Sequence, residues 1–194
     1  YILSQMTETG VNYANALADA QKQGFAEADP TNDVCGFDAA RKLAILSSIG
    51  FRANVTFDDV LVEGIEKIDK SDIQYAKDMG YTIKLLTVAL RQENGIALNV
   101  YPAFLPDNHP LSSVKGAYNA IYVTGNIVDD VMFYGRGAGA LPTASAVMGD
   151  VISTAQHILN GSTGTGMIMT DTKRIPFYSS LKLQNSYYFR LDVD

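Results

Sequence analysis

One helical segment of the sequence combines a lysine with a carboxylate at a spacing that allows proton chemistry. Asp38 and Lys42 are four positions apart, so their side chains are neighbours on an α-helix. They belong to a stripe at helical spacing that is otherwise apolar, formed by Cys35, Ile45 and Ile49 and widened by Ala39, Leu43 and Leu46. Because charges on a core-facing stripe are costly unless they are paired or line a polar cavity, we expect Asp38 and Lys42 either to pair with each other or to line such a cavity. A lysine placed there can exchange a proton more readily than a surface lysine.

Further carboxylates precede this lysine in the sequence. Glu27 and Asp29 lie in the loop before the helix, and Asp33 lies at its start, where an acidic N-cap is favoured. Together with Asp38, four carboxylates fall within the 16 residues that end at Lys42. Two interpretations fit this pattern: a reactive polar cluster, or a capped helix with a half-buried ion pair that only stabilises the fold.

The composition and the missing motifs exclude several classes of protein. The chain has 194 residues, a net charge of −6 and 47% hydrophobic residues, which is typical of an acidic globular domain rather than a nucleic-acid-binding one. No apolar run approaches the ~18 residues that a membrane helix needs. With one cysteine and two histidines, the sequence offers no zinc-site spacing, and it has no Walker loop or nucleophile elbow. We therefore expect a cytoplasmic protein that binds no metal, nucleic acid or membrane.

Hydrophobic periodicity predicts helices in the first part of the chain and helices mixed with strands in the rest. Helical spacing covers residues 12–23, 34–49, 71–79 and 141–160, with Asp33 and Ser71 as candidate N-caps and Gly50 as a helix stop. Strand-like runs cover residues 81–91, 96–105, 117–124, 130–134 and a short stretch near Val55 and Phe57. Asn94-Gly95 between two of these runs predicts a hairpin.

Both ends of the chain indicate a longer polypeptide. The chain opens at Tyr1 without an initiator methionine, inside an apolar segment. At the other end, residues 187–193 alternate apolar and polar positions, as a half-buried strand does. We expect the chain to stop at the beginning of a further module; the alternative is a native edge strand of this domain.

Several stretches of the sequence identify a family. The segment from Gly24 to Leu43 is GFAEADPTNDVCGFDAARKL, and residues 135–146 are GRGAGALPTASA. Shorter matches are YIL at residues 1–3, ALADAQ at 16–21, GI at 64–65, IKL at 83–85 and HPL at 109–111. On these motifs, which extend over almost the whole chain, the sequence resembles homoserine dehydrogenases. The residues YYFRL at 187–191 are similar to the first strand of the regulatory ACT module that follows the catalytic domain in many members.

The resemblance implies an activity and its residues. The reaction is the reversible, NADP- or NAD-dependent reduction of L-aspartate 4-semialdehyde to L-homoserine. Lys42 matches the family's proposed general acid/base and Asp38 the carboxylate that holds it. Glu27 matches an acid that binds the substrate's amino group, and Asp33 matches a member of the surrounding polar shell. Gly139 matches a backbone position that lies against the cofactor.

The resemblance also implies an α+β fold, in which helices cover a mixed β-sheet, and a domain organisation. Residues 1–185 correspond to the catalytic and substrate-binding domain, and residues 186–194 to a linker and the start of the ACT-like module. The family's N-terminal nucleotide-binding domain is missing, so we expect negligible turnover from the 194-residue chain alone. The family uses the sheet surface to dimerise, which makes a homodimer the expectation. The competing hypothesis is a non-catalytic dimerisation or ligand-binding domain that keeps the helix for packing.

Overall fold

The structure, a computed structural model, describes residues 1–162, 175–178 and 185–191. In chain order the elements are α1 (Ile2–Thr9), α2 (Tyr13–Lys22), α3 (Thr31–Val34), α4 (Phe37–Phe51), a 3-10 helix (Phe57–Asp59), β1 (Leu61–Val62), α5 (Lys70–Asp78), β2 (Tyr81–Gln92), β3 (Gly95–Pro106), a second 3-10 helix (Pro110–Ser113), β4 (Tyr118–Gly125), β5 (Asp129–Arg136) and α6 (Ala140–Leu159).

The main sheet is mixed, with strand order β1-β3-β2. β2 and β3 form a long antiparallel hairpin whose last pair is Gln92 with Gly95, so its loop consists of Glu93 and Asn94. β1 runs parallel to β3. β4 and β5 form a separate antiparallel pair. These elements confirm the predicted α+β class and both predicted strand pairs.

Helices cover the main sheet through two buried clusters. In the first cluster α1, α2 and α5 pack on the sheet around Met6 and Ile83, both 1% exposed. In the second cluster α4 packs through Ala40 and Leu43 on the β3 side chains, of which Val100 is 1% exposed. Burial of this apolar surface is the main favourable contribution to the fold.

The helix predicted over residues 34–49 differs from the observed one at both ends. The chain first forms the short helix α3, which contains Asp33, and α4 begins only after Gly36. Asp33 is therefore not the N-cap of the lysine-bearing helix. Gly36 has a φ of 80°, a left-handed conformation that reverses the chain between the two helices. Gly50 is a helical residue of α4, and Arg52 caps the helix with a φ of 51°.

Smaller differences concern the caps and the short elements. α5 is capped by Asp69 and not by Ser71, because the Asp69 carboxylate accepts hydrogen bonds from the N–H groups of Ser71 and Asp72. Val55 lies outside any strand, and Phe57 begins a 3-10 helix.

The predicted strand over residues 187–193 is absent from the described part, and residues 192–193 lie outside it. Residues 185–191 have no regular secondary structure and instead contact α5. Arg190 pairs with Asp69 at 2.7 Å and with Asp72 at 2.9 Å. The Tyr188 hydroxyl donates to Asp72 at 3.0 Å, and the Tyr188 ring stacks on Phe104. Tertiary contacts thus override the local β pattern.

The close approach of Gly64 to the residues around α3 leads to a test of the fold. A Cβ on Gly64 would lie 2.3 Å from the Val34 carbonyl oxygen and 2.6 Å from the Cys35 Cα. Because both are backbone atoms, we expect Gly64→Ala to destabilise the chain by about 1–3 kcal/mol in urea unfolding.

Gly50→Ala is the matched control. A Cβ at Gly50 meets nothing within 4 Å, and the residue is helical. We expect this variant to be as stable as wild type or more stable by about 0.5–1 kcal/mol. Equal unfolding midpoints for the two variants would contradict the close approach at Gly64.

Candidate active site

The loop between α2 and α3 carries Glu27, and side chains from both neighbouring helices hold its backbone. The Glu27 N–H donates to the Asp33 Oδ2 at 3.3 Å. The Gln21 Nε2 donates to the carbonyl oxygens of Glu27 at 3.0 Å and of Ala28 at 3.2 Å. The Glu27 side chain is exposed. Two of the predicted site residues, Glu27 and Asp33, are therefore in direct contact.

Asp38 and Lys42 form the predicted ion pair on α4, with Lys42 Nζ and Asp38 Oδ2 2.7 Å apart. The prediction that this pair lies on a core-facing stripe is wrong, because the two side chains are 49% and 70% exposed, respectively. The buried face of α4 is formed by small and branched side chains, namely Ala40, Leu43, Ala44, Ser47 and Ser48. Ile45, Leu46 and Ile49 are exposed instead.

The small residues explain this orientation of α4. Alanine and serine on the inner face let the helix approach the sheet closely. They contribute little to a hydrophobic pattern in the sequence, so the pattern does not reveal which face is buried. The larger aliphatic residues Ile45 and Ile49 line an open apolar groove of about 720 Å³ together with Arg41 and Phe57, and neither Asp38 nor Lys42 lines it. The ion pair lies on the solvent-exposed side of α4.

Arg41, which sequence reasoning missed, connects the two halves of the site. Its Nη1 donates to the Asn32 Oδ1 at 2.9 Å, which ties α4 to α3 next to Asp33. Its guanidinium also lies over the Phe57 ring, 5.2 Å from the centroid. The signal in the sequence was the arginine directly before Lys42, but its partner Asn32 could not be identified from spacing.

The four carboxylates before Lys42 do not form one cluster. The Asp29 carboxylate accepts hydrogen bonds from the Thr31 hydroxyl at 2.6 Å and the Thr31 N–H at 3.2 Å, and these lower the pKa of Asp29. Asp29 is therefore part of its own turn. In the described part of the chain, no ion pair joins Lys42 to a carboxylate other than Asp38.

Cys35 lies at the turn into α4 and contacts a glutamate that the sequence did not reveal. Its thiol donates to the Glu66 Oε2 at 3.1 Å. This hydrogen bond, together with burial and the charges of Glu66 and Asp29, raises the pKa of Cys35. A raised pKa keeps the thiol protonated and unreactive, as a packing residue requires.

Gly139 lies apart from these residues, at the start of α6. Its φ of 115° is a conformation that side chains rarely adopt, whereas a Cβ there would make only an ordinary 3.5 Å contact with Pro142. Glycine is thus required for backbone conformation more than for space. Within the described residues, no hydrogen bond links Gly139 to the α3 and α4 residues of the site.

Lys84 on β2 is half-buried and links two segments that are far apart in the sequence. Its ammonium donates to the Val114 carbonyl oxygen across 30 residues of sequence. Burial, and then the charge of Lys115, lower the pKa of Lys84. Lys84 anchors the segment before β4 and is not part of the site.

The described residues contain neither a membrane-spanning helix nor a cluster of metal ligands. None of the helices found there is both long and apolar enough to cross a membrane. No group of three or more His, Cys, Asp or Glu side chains in those same residues is arranged to hold a metal ion.

Together these elements form an α+β domain with an exposed lysine–aspartate pair on α4 and an exposed glutamate in a loop whose backbone is held by Gln21 and Asp33. A sequence model of the family "Homoserine dehydrogenase" matches residues 1–152. The chain is 46% identical over 168 residues to the homoserine dehydrogenase of Bacillus subtilis, which covers 87% of this chain and 39% of that protein. It is 51% identical over 169 residues to the enzyme of Mycobacterium tuberculosis H37Rv, covering 84% and 38%. The chain belongs to the homoserine dehydrogenase family.

Solved structures agree with this assignment. A homoserine dehydrogenase from Thiobacillus denitrificans superposes with a TM-score of 0.85 at 39% identity, covering 92% of this chain and 42% of that one. A hyperthermophilic archaeal homoserine dehydrogenase mutant, solved in complex with NADPH, has a TM-score of 0.62 at 28% identity, covering 80% and 44%. The chain thus spans about two fifths of the length of the relatives it matches.

The Cys35–Glu66 contact predicts a measurable change in thiol reactivity. Glu66→Gln removes the negative charge and the strong acceptor that raise the pKa of Cys35, so the thiolate fraction at pH 8 increases. We expect the rate of alkylation by iodoacetamide to rise by about 3-fold or more. Since Cys35 is the one cysteine of the sequence, the modification reports on it alone.

Glu63→Gln is the control for this experiment, because Glu63 is an exposed glutamate in the same loop. We expect it to leave the rate unchanged. If both variants alkylate at the wild-type rate at every pH, Glu66 does not control the thiol.

Proposed function

We propose that this chain is the substrate-binding and catalytic part of an enzyme that interconverts L-aspartate 4-semialdehyde and L-homoserine. The observation that carries the proposal is the 2.7 Å contact between Asp38 and Lys42, whose side chain is mostly exposed. The hydrogen bond from Arg41 to Asn32 connects this helix to α3, which follows the Glu27 loop in the sequence. The reaction needs a proton donor and a carboxylate for the substrate's ammonium, and this arrangement offers both. It belongs to amino-acid biosynthesis in the cytoplasm.

Lys42 is the proton donor and acceptor of the proposed reaction. A bound nicotinamide supplies or accepts the hydride at the carbon that carries the oxygen. During reduction the Lys42 ammonium gives a proton to the alkoxide oxygen that develops on the substrate, and during oxidation the neutral amine takes it back. Asp38 holds the Lys42 Nζ in place and fixes its direction. The exposure of Lys42 leaves the Nζ accessible to the substrate.

Glu27 and Asp33 bind the amino-acid end of the substrate. Within the described residues the Glu27 carboxylate makes no hydrogen bond or ion pair, so it is available to the α-ammonium group. Charge-assisted hydrogen bonds of this kind are among the strongest that a protein makes. Asp33 contributes by holding the Glu27 N–H and by adding negative charge nearby.

The proposed cofactor is NADP or NAD, with Gly139 against it. α6 begins at Ala140, directly after Gly139, and has no side-chain cap, so within the described residues the N–H groups of Ala140 and Leu141 are available to donate to a polar or anionic group. The archaeal relative solved with NADPH supports a nicotinamide cofactor. Most of the cofactor-binding surface would come from polypeptide beyond the two fifths of the family length that this chain spans.

The domain assignment follows from the same proposal. Residues 1–185 form the catalytic domain, and residues 186–194 form a linker and the start of an ACT-like regulatory module. The described part of that linker, residues 186–191, lies on α5 through Tyr188 and Arg190.

The role of Lys42 can be tested by homoserine-dependent reduction of NADP in the complete gene product. We expect Lys42→Ala to lower kcat by about 100-fold or more, because the alkoxide loses its proton partner. Lys77→Ala, in the last turn of α5, is the control and should keep wild-type turnover.

Three results are informative. Loss of activity in Lys42→Ala with an unchanged circular-dichroism spectrum supports the proposal. An active wild type with an equally active Lys42→Ala would keep the reaction but remove Lys42 from it. A wild type that is inactive with both nicotinamides would favour the non-catalytic binding or dimerisation domain.

We propose further that the protein is a homodimer. β4 and β5 form an isolated two-stranded sheet, which is marginal without a packing partner. Large apolar side chains on it are exposed, among them Ile121, Val123 and Phe133. Sedimentation equilibrium of the complete gene product should therefore give twice the mass of one chain, and a monomer at micromolar concentration would refute the dimer.

A further inference from the structure

The Gln21 side chain contacts the backbone of the loop that carries Glu27. It lies near the end of α2 and is half-buried. Its side-chain amide donates to two successive carbonyl oxygens, those of Glu27 at 3.0 Å and Ala28 at 3.2 Å. A glutamine amide has two N–H donors, so one side chain can hold both carbonyls and fix the direction of the peptide between them.

The rest of the loop is held in the same way, through its main chain. The N–H groups of Phe25 and Ala26 both donate to the Ala20 carbonyl oxygen, at 2.9 and 3.3 Å. The Glu27 N–H donates to Asp33 at 3.3 Å. Each main-chain polar group of Glu27 is therefore engaged by a side chain, while its own carboxylate remains unpaired within the described residues.

We propose that Gln21 is a positioning residue for substrate recognition: it fixes the Glu27 backbone so that the Glu27 carboxylate points at the substrate's ammonium group. This inference rests on the proposed function. Gln21 itself touches no substrate, since its amide is occupied by the loop carbonyls. A free loop would hold the carboxylate in several orientations, and binding would then have to supply the ordering.

The test uses Gln21→Met in the complete gene product, with homoserine oxidation as the assay. Methionine has a similar length and volume but no N–H to donate. We expect KM for homoserine to rise about 5-fold or more, with kcat changed by less than about 2-fold and KM for NADP unchanged. Gln74→Met is the matched control, because Gln74 is a helical glutamine on α5 whose amide bonds Asp78 at 2.7 Å.

A double-mutant cycle separates positioning from general stability. Glu27→Gln removes the group that Gln21 positions, so adding Gln21→Met to it should raise KM for homoserine little further. The analogue 4-hydroxybutyrate, which lacks the ammonium group, gives a second readout. Gln21→Met should lower the preference for homoserine over this analogue, whereas a loss of stability alone would affect both substrates equally.

The possible outcomes distinguish the positioning role of Gln21 from the proposed function. If Glu27→Gln raises KM for homoserine while Gln21→Met behaves like Gln74→Met, the positioning role of Gln21 is wrong and the proposed function stands. Additive effects of the two substitutions, or an equal loss with both substrates, also overturn the positioning role. A wild type without homoserine-dependent activity removes the proposed function, and this inference with it.

Discussion

The arrangement of the site depends on one chain reversal, at Gly36. Its φ of 80° allows α3 to end and α4 to begin within two residues. At the same place a Cβ would meet the side chains of Val100 at 3.0 Å and Val62 at 3.3 Å, so the reversal is pressed against β3 and β1. α3 carries Asp33, and α4 carries Asp38 and Lys42. The contact at Gly36 therefore fixes both helices to one position on the sheet.

The ion pair on α4 contributes little to stability, which bears on its purpose. An exposed pair at i, i+4 stabilises a helix by about 0.3–0.5 kcal/mol. Lys42 and Asp38 are both largely exposed, and the helix is held by the burial of Ala40, Leu43 and Ala44 on the sheet. The packing of α4 therefore does not depend on the pair. What Asp38 adds is a fixed direction for the Lys42 Nζ, which the proposed proton transfer requires and the packing of α4 does not.

Local signals predicted much of the fold, and long-range contacts account for the rest. The β2–β3 hairpin, the β4–β5 pair and α6 follow from turn chemistry and periodicity, and the structure confirms them. The orientation of α4 was predicted wrongly because Ala40, Ala44 and Ser47 count for little in a hydrophobic pattern, although their small size lets the helix pack closely. The Cys35–Glu66 contact joins positions 31 residues apart, and Gln21 acts on backbone carbonyls, so neither leaves a periodic signal.

The last described segment shows that a boundary in sequence need not be a boundary in packing. Asp72 is 5% exposed, and its carboxylate bonds the Asp69 N–H, the Tyr188 hydroxyl and Arg190. A buried carboxylate needs such partners, and losing one leaves an uncompensated charge. Two of the three partners, Tyr188 and Arg190, come from beyond residue 185. The buried charge of Asp72 in the proposed catalytic domain is therefore compensated by residues of the linker. The linker is accordingly an integral part of the packing around α5.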